Sequence, residues 1–164
     1  MWGAVIVWQA LAASAAALTV GRFTLPVYEI YKVGADPYWV EGLGLLSEVG
    51  LDVAVIPHYD NAEGGNHDTS RCYVGERRLR QMEKDLESGI IGVDEHTAAT
   101  LDFEDRTLTV SGKGSVTLRG ETDTVIENGA TIDFVFFNKP EPAAGFLADS
   151  REYTAAAIIY HCHD

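Results

Sequence analysis

The hydrophobic pattern changes character along the chain. In the first half, apolar residues come in short continuous runs between polar, glycine-containing loops; in the second half they alternate with polar residues. Continuous runs of this kind mark strands buried on both faces, whereas alternation marks strands with one wet face. Val5-Ile6-Val7 leads into a small-residue stretch, Ala12-Ala13-Ser14-Ala15-Ala16-Ala17. Residues 15–20 read as a short apolar helix closed by Gly21. Val27-Tyr28-Glu29-Ile30-Tyr31-Lys32-Val33 is rich in β-formers and predicts a strand or an extended segment. Asp36-Pro37 predicts a helix start, with Trp39, Leu43 and Leu46 along the helix and Gly42 and Gly44 weakening it.

Val53-Ala54-Val55-Ile56, stopped by Pro57, predicts a buried parallel strand with His58 at its carboxyl end. Ligand sites form at such strand ends in open α/β sheets. The polar stretch that follows, residues 59–72, is too long to be a simple connection and points to function or disorder. Leu79, Met82 and Leu86 predict an amphipathic helix over about residues 74–86. Ile90-Ile91-Gly92-Val93 predicts a second buried strand, ending at Asp94-Glu95-His96. Beyond it, Thr107-Leu108-Thr109-Val110 and residues 115–119 flank Ser111-Gly112-Lys113-Gly114 and predict a hairpin. Residues 124–126 and 131–135 flank Asn128-Gly129 and predict another. Residues 1–138 are expected to form the C-terminal part of an α/β domain, a partial parallel sheet followed by an antiparallel hairpin region. Residues 139–164 are expected to be a linker and tail.

Charge narrows the partners. Among 164 residues, 25 are acidic and 12 basic, a net charge of −13. An acidic protein of this kind is a poor partner for nucleic acid or an anionic membrane and suits a small molecule or peptide. Cys72 and Cys162 form no disulfide framework, which fits a reduced, cytoplasmic setting. Residues 3–20 are apolar, but no Lys or Arg precedes them, which argues against a signal peptide.

Several residues carry candidate chemistry, each with a plain alternative. Ser14 has small residues two positions before and after it, the frame that a serine on a strained strand-to-helix turn requires (a nucleophile elbow); the alternative is an alanine-rich core helix. On such a turn the N–H of Ala15 would face an oxyanion. His58 is a candidate base or a surface histidine in a turn. Glu29 reads as an ion-pair partner of Lys32 or Arg22, and Asp60, two residues beyond His58, is a candidate orienter of that histidine. Arg71, Arg77 and Arg78 are candidates for gripping a carboxylate or members of a solvated helix face. Asp94 and Glu95 line the same strand-end region or cap a turn. His58, Asp60, Glu63, His67 and Asp68 match no zinc spacing, so no metal or other cofactor is expected. His161, Cys162 and His163 sit on a terminal tail, which offers ligands no scaffold.

Six blocks in order carry a family resemblance: residues 14–21, 26–34, 42–46, 56–65 (Ile-Pro-His-Tyr-Asp-Asn-Ala-Glu-Gly-Gly), 75–79 and 92–98 (Gly-Val-Asp-Glu-His-Thr-Ala). Between about residues 12 and 135 the chain resembles the type 1 glutamine amidotransferase-like proteins related to the cyanophycinase and aspartyl-dipeptidase serine peptidases. The resemblance implies a class I amidotransferase-like, flavodoxin-like fold. It also implies a serine-type hydrolase of peptide or amide bonds, with Ser14, His58 and Glu29 as catalytic triad and Ala15 at the oxyanion. Asp60, Asn61, Arg71 and Glu95 would then contact substrate. Ala12 and Ala16 stand where the family has glycine, and the family places strands before the elbow that this chain lacks. An open sheet edge is therefore expected to pair with a second copy. The contrasting expectation is a catalytically inactive small-molecule or protein binding module on the same fold. Neither cysteine lies on an elbow frame, which disfavours a cysteine-dependent amidotransferase.

Overall fold

The computed structural model describes residues 6–13, 15–120, 122–133 and 153–160. Among the described residues, eleven strands form two mixed sheets. The six-stranded sheet contains β2 (Phe23–Thr24), β3 (Val40–Glu41), β4 (Val53–Ile56), β5 (Gly89–Val93), β8 (Val116–Arg119) and β9 (Thr124–Ile126), in the order β3-β2-β4-β5-β8-β9. Its centre, β2-β4-β5, is parallel, and both flanks are antiparallel. The five-stranded sheet contains β1 (Ile6–Ala13), β6 (Thr97–Asp102), β7 (Thr107–Gly112), β10 (Thr131–Asp133) and β11 (Tyr153–Tyr160), in the order β1-β11-β6-β7-β10. Helices α1 (Ala15–Thr19) and α2 (Glu76–Met82) complete the fold.

The central strands explain the layering. Every residue of β4 is buried. Val53 and Val55 face a core shared with Ile91, Val93, Leu101, Leu108 and Val110, between the two sheets. Ala54 and Ile56 face the opposite way, toward Leu25, Ile30, Leu79, Met82 and Ile90 beneath α2. Strand alternation thus feeds two cores, each buried branched side chain contributing about 1.5–3 kcal/mol. The continuous apolar runs at 53–56 and 90–93 therefore become the buried parallel strands that their pattern predicts. Helix α2 also lies where expected, continued by a single 3-10 turn, Glu83–Asp85.

Other stretches depart from expectation, and long-range packing explains each departure. Residues 29–33 form a π turn, Glu29–Val33, rather than a strand. Ile30 alone of this stretch enters the core, its N–H donates to Pro26 O, and Gly34 closes the turn at φ 80°. The helix expected after Pro37 does not form. Gly42, Leu43 and Gly44 donate their N–H groups to Arg22, Thr19 and Gly21 instead, a close approach that a Cβ on Gly42 would block by meeting Gly21 O. Neither predicted hairpin forms either. β7 pairs with β6 and β10, whereas β8 pairs with β5 and β9, so both turn segments carry the chain from one sheet to the other. Residues 153–160, read as part of a tail, form β11 between β1 and β6. Residues 139–152, His161, Cys162 and His163 lie outside the described residues. Among the described residues, no helix is long and apolar enough to cross a membrane.

Candidate functional site

The carboxyl ends of neighbouring parallel strands lie side by side, so residues just after β4 and β5 meet. Val53 to Ile56 pair in register with Gly89 to Gly92, which brings His58 to Glu95. His58 Nδ1 lies 2.9 Å from Glu95 Oε1, and both side chains are mostly buried (12% and 21% exposed). An ionised carboxylate only accepts hydrogen bonds, so Nδ1 carries the proton of this pair. The same Oε1 accepts from Asn61 Nδ2 at 3.2 Å, and the Glu95 N–H donates to Asp60 Oδ1 at 2.7 Å. Asn61 is itself buried, and its Oδ1 accepts from the N–H of Glu63. Glu95 is therefore held at its main chain and at its carboxylate by two residues of the loop that begins with His58.

The backbone here is strained. His58 adopts φ 51°, and three consecutive residues, Arg71, Cys72 and Tyr73, adopt φ 58°, 56° and 67°. Non-glycine residues in this region cost about 1–3 kcal/mol each and persist only where their surroundings fix them. The fixing bonds run between the two segments: Arg71 N–H donates to Tyr59 O (2.9 Å) and Cys72 N–H to His58 O (3.1 Å). Tyr59 N–H donates to Val93 O and ties the loop to the end of β5. The Tyr73 ring stands 6.2 Å from the His58 imidazole.

Asp94, beside Glu95, turns away from the pair. Its Oδ2 accepts from both the N–H and the hydroxyl of Ser115. Burial raises its carboxyl above the usual range, against the pull of those two bonds. Asp68 Oδ2 accepts from the N–H of Glu76 at the start of α2, and its bonds to Ser70 and that N–H hold its carboxyl below the usual range.

The expected site residues thus separate into groups. Ser14 lies outside the described residues, between the last residue of β1, Ala13, and the first of α1, Ala15. Glu29 opens the π turn and is exposed, and among the described residues no hydrogen bond or ion pair joins it to His58. The carboxylate on His58 is that of Glu95, not Glu29. The family resemblance pointed to Glu29, whereas strand adjacency brings Glu95 to His58. Asp60 and Asn61 contact Glu95. Arg71 is committed inward: Nε donates to Glu76, Nη1 donates to Tyr59 O, and the guanidinium lies 3.9 Å from the Tyr59 ring centroid. Tyr73 reaches the His58 ring, and Tyr31 packs on Tyr73, without a sequence signal of their own, since aromatic residues in loops carry no positional code. Among the described residues, no three His, Cys, Asp or Glu side chains gather as a metal site.

The chain is similar to the solved structure of a peptidase from an acI-B1 Actinobacterium. The TM-score is 0.47, with 22% identity over 74% of this chain and 43% of that one. The chain thus spans less than half of that protein's length. No family model matches the chain, and no curated protein does.

Proposed function

We propose that the chain carries the site of a serine-type hydrolase of peptide or amide bonds, with Ser14 as nucleophile, His58 as base and Glu95 as the carboxylate that orients it. The single observation behind this is the buried His58–Glu95 pair at the carboxyl ends of two adjacent parallel strands. The small-residue frame around Ser14 and the six-block resemblance to amidotransferase-like serine peptidases supply the nucleophile and the flavodoxin-like expectation.

In this mechanism the Nδ1 proton stays on the Glu95 side and the transfers occur at Nε2. Ser14 Oγ attacks the scissile carbonyl carbon as His58 takes its proton. The Ala15 N–H steadies the oxyanion. The carbon–nitrogen bond then breaks, His58 returns the proton to the leaving amine, and an acyl-serine remains. Water, deprotonated by His58, releases the acid and restores Ser14. Glu95 fixes the tautomer and stabilises the imidazolium without taking the proton. Asp60 and Asn61 hold Glu95 in place.

Fluorophosphonate labelling of the native chain beside Ser14→Ala, with circular dichroism on both, tests the assignment. Labelling that disappears in the variant is the expected result. A folded native chain that takes no label overturns the hydrolase and favours a binding module.

A further inference from the structure

Two unusual backbone devices meet through a pair of tyrosines, one of which stands near His58. The first is the π turn Glu29–Val33, a rare conformation often found at functional sites. It buries Ile30 and leaves Tyr31 43% exposed. The second is the left-handed run Arg71-Cys72-Tyr73, which buries Cys72 and leaves Tyr73 partly buried against the same core. In each device the preceding residue, Ile30 or Cys72, anchors in the same core, and the tyrosines that follow stack on one another. The two rings meet at a centroid distance of 4.8 Å and an interplanar angle of 40°. The Tyr73 hydroxyl donates to Glu63 Oε2 at 3.0 Å, which fixes its ring beside the imidazole.

We infer that Tyr31 and Tyr73 form an aromatic subsite that receives a neutral aromatic side chain of the substrate next to the scissile bond. This rests on the hydrolase reading above. Rings at this spacing and tilt leave edges and faces for a third ring at the separations aromatic groups prefer. The surrounding charge excludes an acidic side chain. Glu63, Glu95 and Asp60 lie on the site side, and the Arg71 guanidinium is taken up by Glu76 and Tyr59. The Lys32 ammonium lies 4.6 Å from the Tyr31 centroid, whereas Glu63 accepts from the Tyr73 hydroxyl at the other ring of the pair.

The probes are N-acetylphenylalaninamide, N-acetylalaninamide and N-acetylaspartamide, titrated into the full chain with the tyrosine and histidine ring signals followed by NMR. The phenylalanine probe is expected to move the Tyr31, Tyr73 and His58 signals and to bind about three- to tenfold tighter than the alanine probe, with the aspartate probe weakest. Tyr31→Ala, a change at an exposed position, is expected to erase that preference, and Tyr31→Phe to keep it. Anilides of the same acyl groups are expected to follow the same order in kcat/KM. Equal binding of the three probes overturns the subsite. So do a tightest aspartate probe, unmoved tyrosine signals, or a preference that survives Tyr31→Ala. Tyrosine signals that shift with protein concentration alone assign the rings to a contact with a second copy and also overturn it. The titration needs no turnover: loss of the hydrolase reading shows as absent Ser14-dependent hydrolysis, while the probe order still decides the subsite.

Discussion

Two clusters of charged side chains meet at the end of β4, one reached through His58 and the other through Tyr59. Around Tyr59 the network is dense. Arg119, with its side chain 3% exposed, donates to both carboxylate oxygens of Glu83, to Glu76, and to the Tyr59 hydroxyl at 2.7 Å. Glu76 in turn pairs with Arg71 and Arg80. Burial alone would lower the Arg119 pKa, yet its bonds to Glu83, Glu76 and Tyr59 outweigh burial and raise it. Around His58 the Glu95 carboxylate, the Asn61 amide on the same oxygen, Asp60 on the Glu95 main chain and a strained backbone converge on one ring. The difference is between charge used to hold elements together and charge used to aim one ring. The first tolerates no missing partner. The second tolerates isosteric change structurally but not chemically.

The sharpest break in that comparison is Glu95→Gln. The amide has nearly the shape of the carboxylate but can donate to Nδ1, which favours the wrong tautomer. kcat is expected to fall by about 10³–10⁴, with urea stability changed by less than about 1 kcal/mol. Both are measured on one preparation. A fall of that size in Glu29→Gln, with Glu95→Gln unaffected, would reverse the assignment of the carboxylate.

Arg119→Ala is expected to do the opposite. It strands the Glu83 and Glu76 carboxylates and the Tyr59 hydroxyl in the part-buried layer under α2. A loss of about 3–5 kcal/mol in urea unfolding follows from removing one member of a buried ionic network. A loss below about 1 kcal/mol would mean that the network behaves as a surface one.

What the sequence revealed follows the same divide. β4, β5 and α2 were legible because their signals are local: a continuous apolar run, a proline stop, a helical spacing. The position of His58 at a strand end was legible for the same reason. Its partner was not, because the family resemblance placed the acid near Glu29 and nothing local in the sequence joins Glu95 to His58. The rule that decides between them is topological. β4 and β5 are parallel neighbours, so their carboxyl ends lie together and Glu95 meets His58. The failed hairpins teach the converse. Ser111-Gly112-Lys113-Gly114 and Asn128-Gly129 are sound turn signals, but a turn signal does not say which sheet the next strand joins.

Gly92 sharpens the comparison from the core side. It lies in β5 under the Tyr59 ring, and a Cβ there would come within about van der Waals overlap of the ring carbons. Gly92→Ala is expected to cost about 1–3 kcal/mol and to lower activity as well, since it displaces the residue next to His58. A stability loss with kcat intact would show that Tyr59 moves without carrying His58.

Acid pH separates the carboxylates by sign. Burial pushes the Glu76 carboxyl up, but its bonds to Arg119 and Arg71 prevail and hold it below the ordinary value of 4.5. Its contribution is present above that value and disappears as pH falls through the folded pKa. Asp94 is raised above 3.8, so its contribution is full below that value and disappears as pH rises through its folded pKa. Glu76→Gln is therefore expected to flatten the fall of urea stability below about pH 4.5, as measured from unfolding midpoints against pH. An unchanged slope would remove Glu76 from the ionic network's stabilising groups.

The smallest effect is kinetic and concerns the strained turn itself. Burial pushes the Cys72 thiol up to about 12, so near pH 8 it reacts only after the turn around it opens. The turn rests on a few hydrogen bonds to residues 58, 59 and 69, whereas Arg119 ties α2 to β8 through several. Regions of that kind open below the global free energy of unfolding. Cys72 labelling, located by peptide mapping, is thus expected to rise with urea on a shallower slope than global unfolding. Equal slopes would mean that the aiming cluster and the holding cluster open as one unit, and that the strain at His58 is borne by the whole fold rather than by its own loop.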